Sequence, residues 1–388
     1  LGELKSGIRK SLEFVQFLEA EKPERLEERA TTLLNLAYAY RELGHQARSD
    51  SMIEETARLL QTGKIQSLRL EAQYAHSLAL NAAEKKGREA FCEANYQKAL
   101  QYYRQVFGEK HKNLARVNRD YASLMLRQAK WSKADSLLEQ AKASLRVIED
   151  KRPLVIAPDW MVRLYELEGE VAMTRFQRTQ DPEALEAAFA AYQAAIAQLN
   201  ELNTRQIGEE SLLRQRNYFK RIFQEGVRLG MLRYELDPQD EKWEDAFAMA
   251  EQSKAFLLRK RVGMERNEYA FGLPDSLRER ELNLRREIAQ VQAQLGQQGE
   301  AGSKLNRQLA GRMLVLRSRQ QQLLDVLQSD YPAYYALRYA PSTIKAEEIQ
   351  QRLLPGQLML AYHLGDTHLQ IFALKQDERL LLSEAIDV

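Results

Sequence analysis

The chain has one cysteine, Cys92, so no disulfide can form within it and a cysteine-based metal cluster is excluded. That usage fits a reducing compartment. No apolar run approaches the roughly 20 residues a membrane-spanning helix requires, and Leu1-Gly2-Glu3-Leu4-Lys5 lacks the apolar core of a secretory signal. An excess of one charge is missing too. The 57 Lys and Arg stand against 55 Asp and Glu, and the basic residues are interleaved with acidic ones instead of forming the patch that nucleic-acid binding needs. Neither nucleic acid nor membrane is therefore expected as a partner. The expected location is the cytoplasm, subject to any targeting signal on residues upstream of Leu1. There is no phosphate-binding loop, no dinucleotide fingerprint and no HExxH, so no cofactor is expected.

What is present is a repeat. Leu36, Ala37, Tyr40, Gly44, Ser49, Ile53 and Thr56 place small and large residues where two packed helices need them. Gly87, Cys92, Tyr96 and Ala99 keep the rhythm, as do Ala122, Trp131, Ala134, Leu138 and Ala141. A fourth pair is expected from Trp160 to Asn200, with Gly169 at a close helix contact facing Ala188, Tyr192 and Ala195. Asp181-Pro182-Glu183 reads as a helix start, Asp as cap and Pro in the first turn. A fifth runs from Glu209 to about Val262, broken at Asp237-Pro238-Gln239-Asp240. Ile8, Ser11, Leu12 and Val15 read as the second helix of a preceding unit, so the chain is expected to begin in mid-array.

Two resemblances follow from particular segments. Tyr103-Arg104-Gln105-Val106-Phe107-Gly108-Glu109-Lys110-His111-Lys112-Asn113-Leu114-Ala115 resembles the linker of kinesin-light-chain-type tetratricopeptide repeats, whose longer units match the separation of Ser49, Cys92 and Ala134. Ala246-Phe247-Ala248-Met249-Ala250-Glu251-Gln252-Ser253-Lys254-Ala255-Phe256-Leu257-Leu258 resembles the helix that closes the array in tetratricopeptide proteins carrying a CHAT domain, a caspase-like module.

What comes next matches that architecture in order. Leu277, Leu284, Ile288, Val291 and Leu295 make one apolar stripe, and Leu305, Leu309, Leu316, Leu323 and Leu327 a second, joined by a turn from Gly296 to Gly302: an antiparallel helical hairpin. Tyr331 to Tyr339 is similar to the aromatic entry of a CHAT domain. A helix over 343–354 and strands over 358–364, 368–374 and 379–383 are then predicted. The resemblance implies a chain that stops early in the caspase-like sheet.

The fold class expected is thus mainly α: a right-handed superhelix of tetratricopeptide-type helix pairs, then a helical hairpin and a small β-meander. The expected domains are 1–262, 263–330 and 331–388.

Caspase-like hydrolysis needs a Cys thiolate and a His, which in the family come later in the domain. No residue here matches either motif, so the chain itself is not expected to be an enzyme. Cys92 occupies a small helix-contact position and should be inert. His111 should cap or pack the helix after it, while His45 and His76 read as turn and groove residues. His363 and His368 straddle a hairpin, across which they could meet and hold zinc, but no third ligand accompanies them. No metal site is expected. Arg259-Lys260-Arg261 reads as a solvated helix end.

Function is expected on the inner face of the first helices. The inward candidates are Tyr38, Arg41, Tyr74, Ser77, Asn81, Lys85, Arg116, Arg119, Ser123 and Arg127. Arg can clamp a carboxylate, Asn can bond a backbone in both directions and Tyr offers flat apolar area. The expected partner is an extended protein or peptide segment of acidic character, with the oligomeric state open. Two function classes stand: the recognition and regulatory region of a CHAT-family peptidase, or a non-proteolytic adaptor or self-assembling scaffold.

Overall fold

The computed structural model describes residues 2–149, 152–205, 216–254, 273–297, 304–339 and 345–386. Among them are fifteen helices and five short strands. The chain divides into two compact units, 1–146 and 147–388.

The first unit begins with α1 (Gly2–Glu21), followed by three consecutive helix pairs: α2 (Leu26–Glu42) with α3 (Gln46–Gln61), α4 (Leu68–Ala82) with α5 (Glu89–Phe107), and α6 (Lys112–Arg127) with α7 (Trp131–Leu145). Each helix is too short to be stable alone and is held by the apolar stripe it buries. Small residues permit the close approach: Ser49, Cys92 and Ala134, at equivalent positions of the three second helices, are all fully buried. The turn inside the first pair uses Gly44 at φ 74°, with the His45 N–H bonded to Tyr40 O and the Gly44 N–H to Arg41 O. The third pair makes the same two bonds from Lys130 and Ala129, and there Ala129 takes the left-handed conformation at φ 56° without being glycine.

The linker into α6 behaves as its residues imply. Gly108 sits at φ 73°, and His111 caps the helix, its Nδ1 accepting from the Asn113 N–H at 3.2 Å while its ring stacks on Phe107 at 3.9 Å.

The second unit opens with a two-stranded sheet, β1 (Arg146–Glu149) and β2 (Arg152–Val155), which the sequence reading did not include. Two more pairs follow: α8 (Pro158–Thr179) with α9 (Pro182–Arg205), and α10 (Arg216–Leu236) with α11 (Asp240–Ser253). Gly169 is where α8 meets α9, and a Cβ there would lie 2.5 Å from the Tyr192 ring. Asp181 Oδ1 accepts from the Glu183 N–H at 3.0 Å, the cap expected.

The hairpin arms are α12 (Asp275–Gln297) and α13 (Lys304–Asp330), meeting through Leu284, Ile288, Val291, Leu309, Leu316, Leu323 and Leu327. Then come α14 (Pro332–Arg338), α15 (Ala346–Gln350) and an antiparallel sheet ordered β3 (Met359–Leu364), β4 (His368–Leu374), β5 (Arg379–Ala385). Of the helix expected over 343–354, α15 covers Ala346–Gln350 and runs into a turn before Pro355. The inner sheet face packs on α11: Trp243 stacks on Phe247 at 4.9 Å, Phe372 meets both edge-on, and the indole N–H donates to Leu380 O at 3.1 Å.

Several expectations fall on residues outside those described: the first part of the fifth pair over 209–215, its continuation over 255–262 with Arg259-Lys260-Arg261, most of the turn from Gly296 to Gly302, and the start of the 343–354 helix.

Candidate functional site

The candidate face belongs to α2, α4 and α6. Its centre is a contact between the first helices of the first and third pairs. The Arg116 guanidinium lies over the Tyr38 ring, 4.4 Å from its centroid, and Arg41 approaches the same ring at 5.8 Å. The Arg116 side chain thus spans from α6 across α4 to a ring on α2. Tyr38 remains exposed. Arg41 pairs with Glu42 at 3.2 Å and Glu84 at 3.8 Å, whereas among the described residues Arg116 has no carboxylate within ion-pair distance.

The other expected residues fall into separate groups. Lys85 pairs with Asp50 at 3.3 Å. Asn81 was expected to face a ligand, but it is buried, its amide donating to Asp50 Oδ1 at 2.9 Å and its carbonyl lying 3.0 Å from Ser49 Oγ. Both ends of that amide serve the α3–α4 contact. Arg119 donates to Asp120 Oδ1 at 3.1 Å, and exposed Arg127 reaches Ala83 O at 3.5 Å. Tyr74, Ser77 and Ser123 are half-buried, and burial raises the Tyr74 hydroxyl.

Beneath this face lies a buried pair that the sequence reading missed. His76, expected on a helix as a surface or groove residue, is 3% exposed, and its Nε2 is 2.8 Å from Asp120 Oδ2. Burial lowers the His76 pKa, outweighing the hydrogen bond and charge of Asp120. Burial alone would raise Asp120, yet the hydrogen bond from His76 and the charges of Arg119 and Arg116 hold its carboxyl below the usual range. The consistent state is a neutral imidazole donating to a carboxylate. The Tyr96 hydroxyl, fully buried nearby, has no hydrogen-bond partner among the described residues. No sequence signal marked this pair, because its partners stand 44 residues apart.

Cys92 is fully buried and its thiol is pushed up by that burial, with the Arg127 charge opposing, as an inert packing residue would be. The histidines of the hairpin do not meet. In the β3–β4 register His363 faces Gln370, while His368 lies at the β4 end. His363 is buried with Nδ1 3.1 Å from Ser253 Oγ, and exposed His368 has its Nδ1 2.9 Å from Thr367 Oγ1. Among the described residues no group of three His, Cys, Asp or Glu is placed to hold a metal ion, and no helix is long and apolar enough to cross a membrane.

Among solved structures, the crystal structure of BtubC (BKLC) from P. vanneervenii aligns with a TM-score of 0.47 and 16% identity, over 68% of this chain and 93% of that chain. No family model and no curated protein matches the chain. The fold itself is that of a helical-repeat protein, in consecutive packed pairs followed by a small antiparallel sheet.

Proposed function

We propose that this chain is a protein-binding scaffold of tetratricopeptide type whose first unit holds an extended acidic segment. The observation that carries the reading is the Arg116–Tyr38 contact. It presents a cation with no carboxylate within ion-pair distance among the described residues over an exposed aromatic ring on another first helix. A carboxylate arriving there would gain a bidentate partner in the Arg116 guanidinium, which the Tyr38 ring holds in place from its other side. The segment it takes is extended because the candidates are spread along three parallel first helices rather than gathered in a pit.

In its finer form the proposal makes the chain the recognition and regulatory region of a longer CHAT-domain, caspase-like protein. The support is the 246–258 sequence segment, the hairpin and the order of strands that follows. The chain itself then supplies recognition and no catalysis, with Cys92 as a packing residue. That form expects a caspase-like His and Cys on strand-to-loop junctions in the parent protein.

A second reading, a self-assembling scaffold, has one observation in its favour. The sheet face turned away from Trp243 leaves Leu360, Tyr362, Leu364, Leu380 and Leu382 exposed by 43 to 63%, a contiguous apolar surface of the kind that marks interfaces. Sedimentation of the whole chain as a monomer at all concentrations would remove it.

The groove is tested by fluorescence anisotropy with extended peptides of graded acidity. Arg116→Glu, which breaks no ion pair, should weaken the acidic peptides by about tenfold or more and leave neutral ones unchanged. Equal affinity of the wild type and Arg116→Glu for acidic peptides rejects the site.

A further inference from the structure

In the second unit two helices each carry an aromatic residue and an arginine at a spacing that puts both on one face. Trp160 and Arg163 stand in the first two turns of α8, and Tyr218 and Arg221 in the first two of α10. The two faces meet at Tyr218. The Arg163 guanidinium lies over the Tyr218 ring, 5.0 Å from its centroid, and 5.7 Å from that of Trp160, while Arg221 approaches Tyr218 at 5.6 Å. All three distances fall within the roughly 6 Å over which a ring face attracts a cation.

The two arginines differ in what balances them. Glu166 is buried on α8, its Oε1 accepting from Arg221 and its Oε2 from the Tyr218 hydroxyl at 3.1 Å. Both of its oxygens are thereby engaged, and its charge is matched by Arg221. Burial first and the Glu166 charge second push the Tyr218 hydroxyl up, so it stays a donor and the ring is fixed. Arg163 is exposed, and among the described residues it has neither a hydrogen-bond partner nor a carboxylate within ion-pair distance. Asp159, one turn earlier on α8, forms no ion pair with it, and Lys220 beside Arg221 is paired with Asp366 at 2.9 Å.

The face therefore offers one unmatched cation held over two rings, next to a second guanidinium fixed from behind by a buried carboxylate. Holding the Arg163 side chain in advance lowers the entropy lost when an anion binds it. A carboxylate fits both the single unmatched charge and the planar fork of the guanidinium. A phosphate monoester would bring about two negative charges against that one.

We infer that Arg163, held over Trp160 and Tyr218, binds a side-chain carboxylate of an acidic peptide segment, with Arg221 as the flanking cation. The site shares no residue with the face of α2, α4 and α6, and either stands without the other.

The indole N–H resonance of Trp160, assigned with Trp160→Phe, reads this site among the chain's three tryptophans. The whole chain is titrated with a blocked tetrapeptide of alternating Glu and Asp, and separately with its uncharged Gln and Asn counterpart. A saturable shift of the Trp160 signal is expected with the acidic peptide alone. Arg163→Gln, which breaks no ion pair among the described residues, should weaken that binding about tenfold or more. Arg116→Glu should leave it unchanged, so failure of the first unit's face is told apart from failure of this one. The inference is overturned if the acidic peptide leaves the signal in place, if the uncharged peptide moves it equally, if Arg163→Gln binds as the wild type does, or if Arg116→Glu abolishes the response.

Discussion

Replacing Trp243 by phenylalanine removes one N–H and part of one ring at the point where the three-stranded sheet meets α11. The indole is fully buried, stacks on Phe247, meets Phe372 at 5.6 Å and donates to Leu380 O on the edge strand β5. Phenylalanine keeps most of the apolar area. The missing ring atoms cost about 1 kcal/mol, and the hydrogen bond, whose carbonyl acceptor stays behind, about 1 kcal/mol more. About 2 kcal/mol is about a thirtyfold change in an opening equilibrium. A global melting curve would blur this, since a chain of two compact units need not unfold in one step. Amide hydrogen exchange resolves it: protection over 359–385 should fall about thirtyfold in Trp243→Phe while that of α2 to α7 is unchanged. Unaltered protection of β5 would refute the claim that the indole holds the sheet to the helix pair.

Two further predictions concern backbone and protonation. Gly169→Ala should destabilise the second unit by about 1 kcal/mol, because overpacking against the Tyr192 ring exceeds the gain in helix propensity. Ala129→Gly should stabilise the first by about 0.5–1 kcal/mol, relieving the left-handed strain that Gly44 avoids in the equivalent turn; chemical denaturation reads both signs. His111 and His363 have their pKa values lowered from 6.5 to about 4, in both by burial first and neighbouring lysines second. The unfolded chain therefore binds more protons between those values. The stability these neutral imidazoles contribute is complete above about pH 6.5 and declines as pH falls, by about 2 kcal/mol for each at pH 5. Unfolding free energies measured from pH 7.5 to 4.5 should drop accordingly, and His111→Gln and His363→Gln should each flatten the curve. A flat wild-type profile would contradict the burial of both rings.

Features encoded by neighbouring residues were legible in the sequence. Gly108 and His111 announce a linker and a cap, Asp181-Pro182 a helix start, and the period-two runs around Gly365 and Gln376 give β3 to β5 to within two residues. Gly169 could be read as a close contact because glycine weakens a helix interior and a packed neighbour is one reason for it, although Gly311 stands in a helix with nothing near it. What failed depends on partners far along the chain. His76 and Asn81 sit on the right helix, but whether each meets solvent is decided by Asp120, Asp50 and Ser49. The small sheet of β1 and β2 was illegible because four-residue strands, one containing Pro153, carry too little pattern. Of the candidate face, the helices and their cations were foreseen. That Arg116 would close over Tyr38 was not, since it depends on how far the packed pairs bend.

The three equivalent positions Ser49, Cys92 and Ala134 differ in one respect that bears on how such a chain can be rebuilt. At Ser49 the hydroxyl lies between Ala37 O at 2.8 Å and the Asn81 amide, which also engages Asp50. A thiol or a methyl group at that place would leave the amide carbonyl buried and unmatched, while a hydroxyl imported at the Cys92 or Ala134 place would arrive without Asn81 to receive it. Such repeats are therefore not interchangeable bricks: a chimera that reorders them puts a polar lock opposite an apolar plate, so the succession of units is written into the joints.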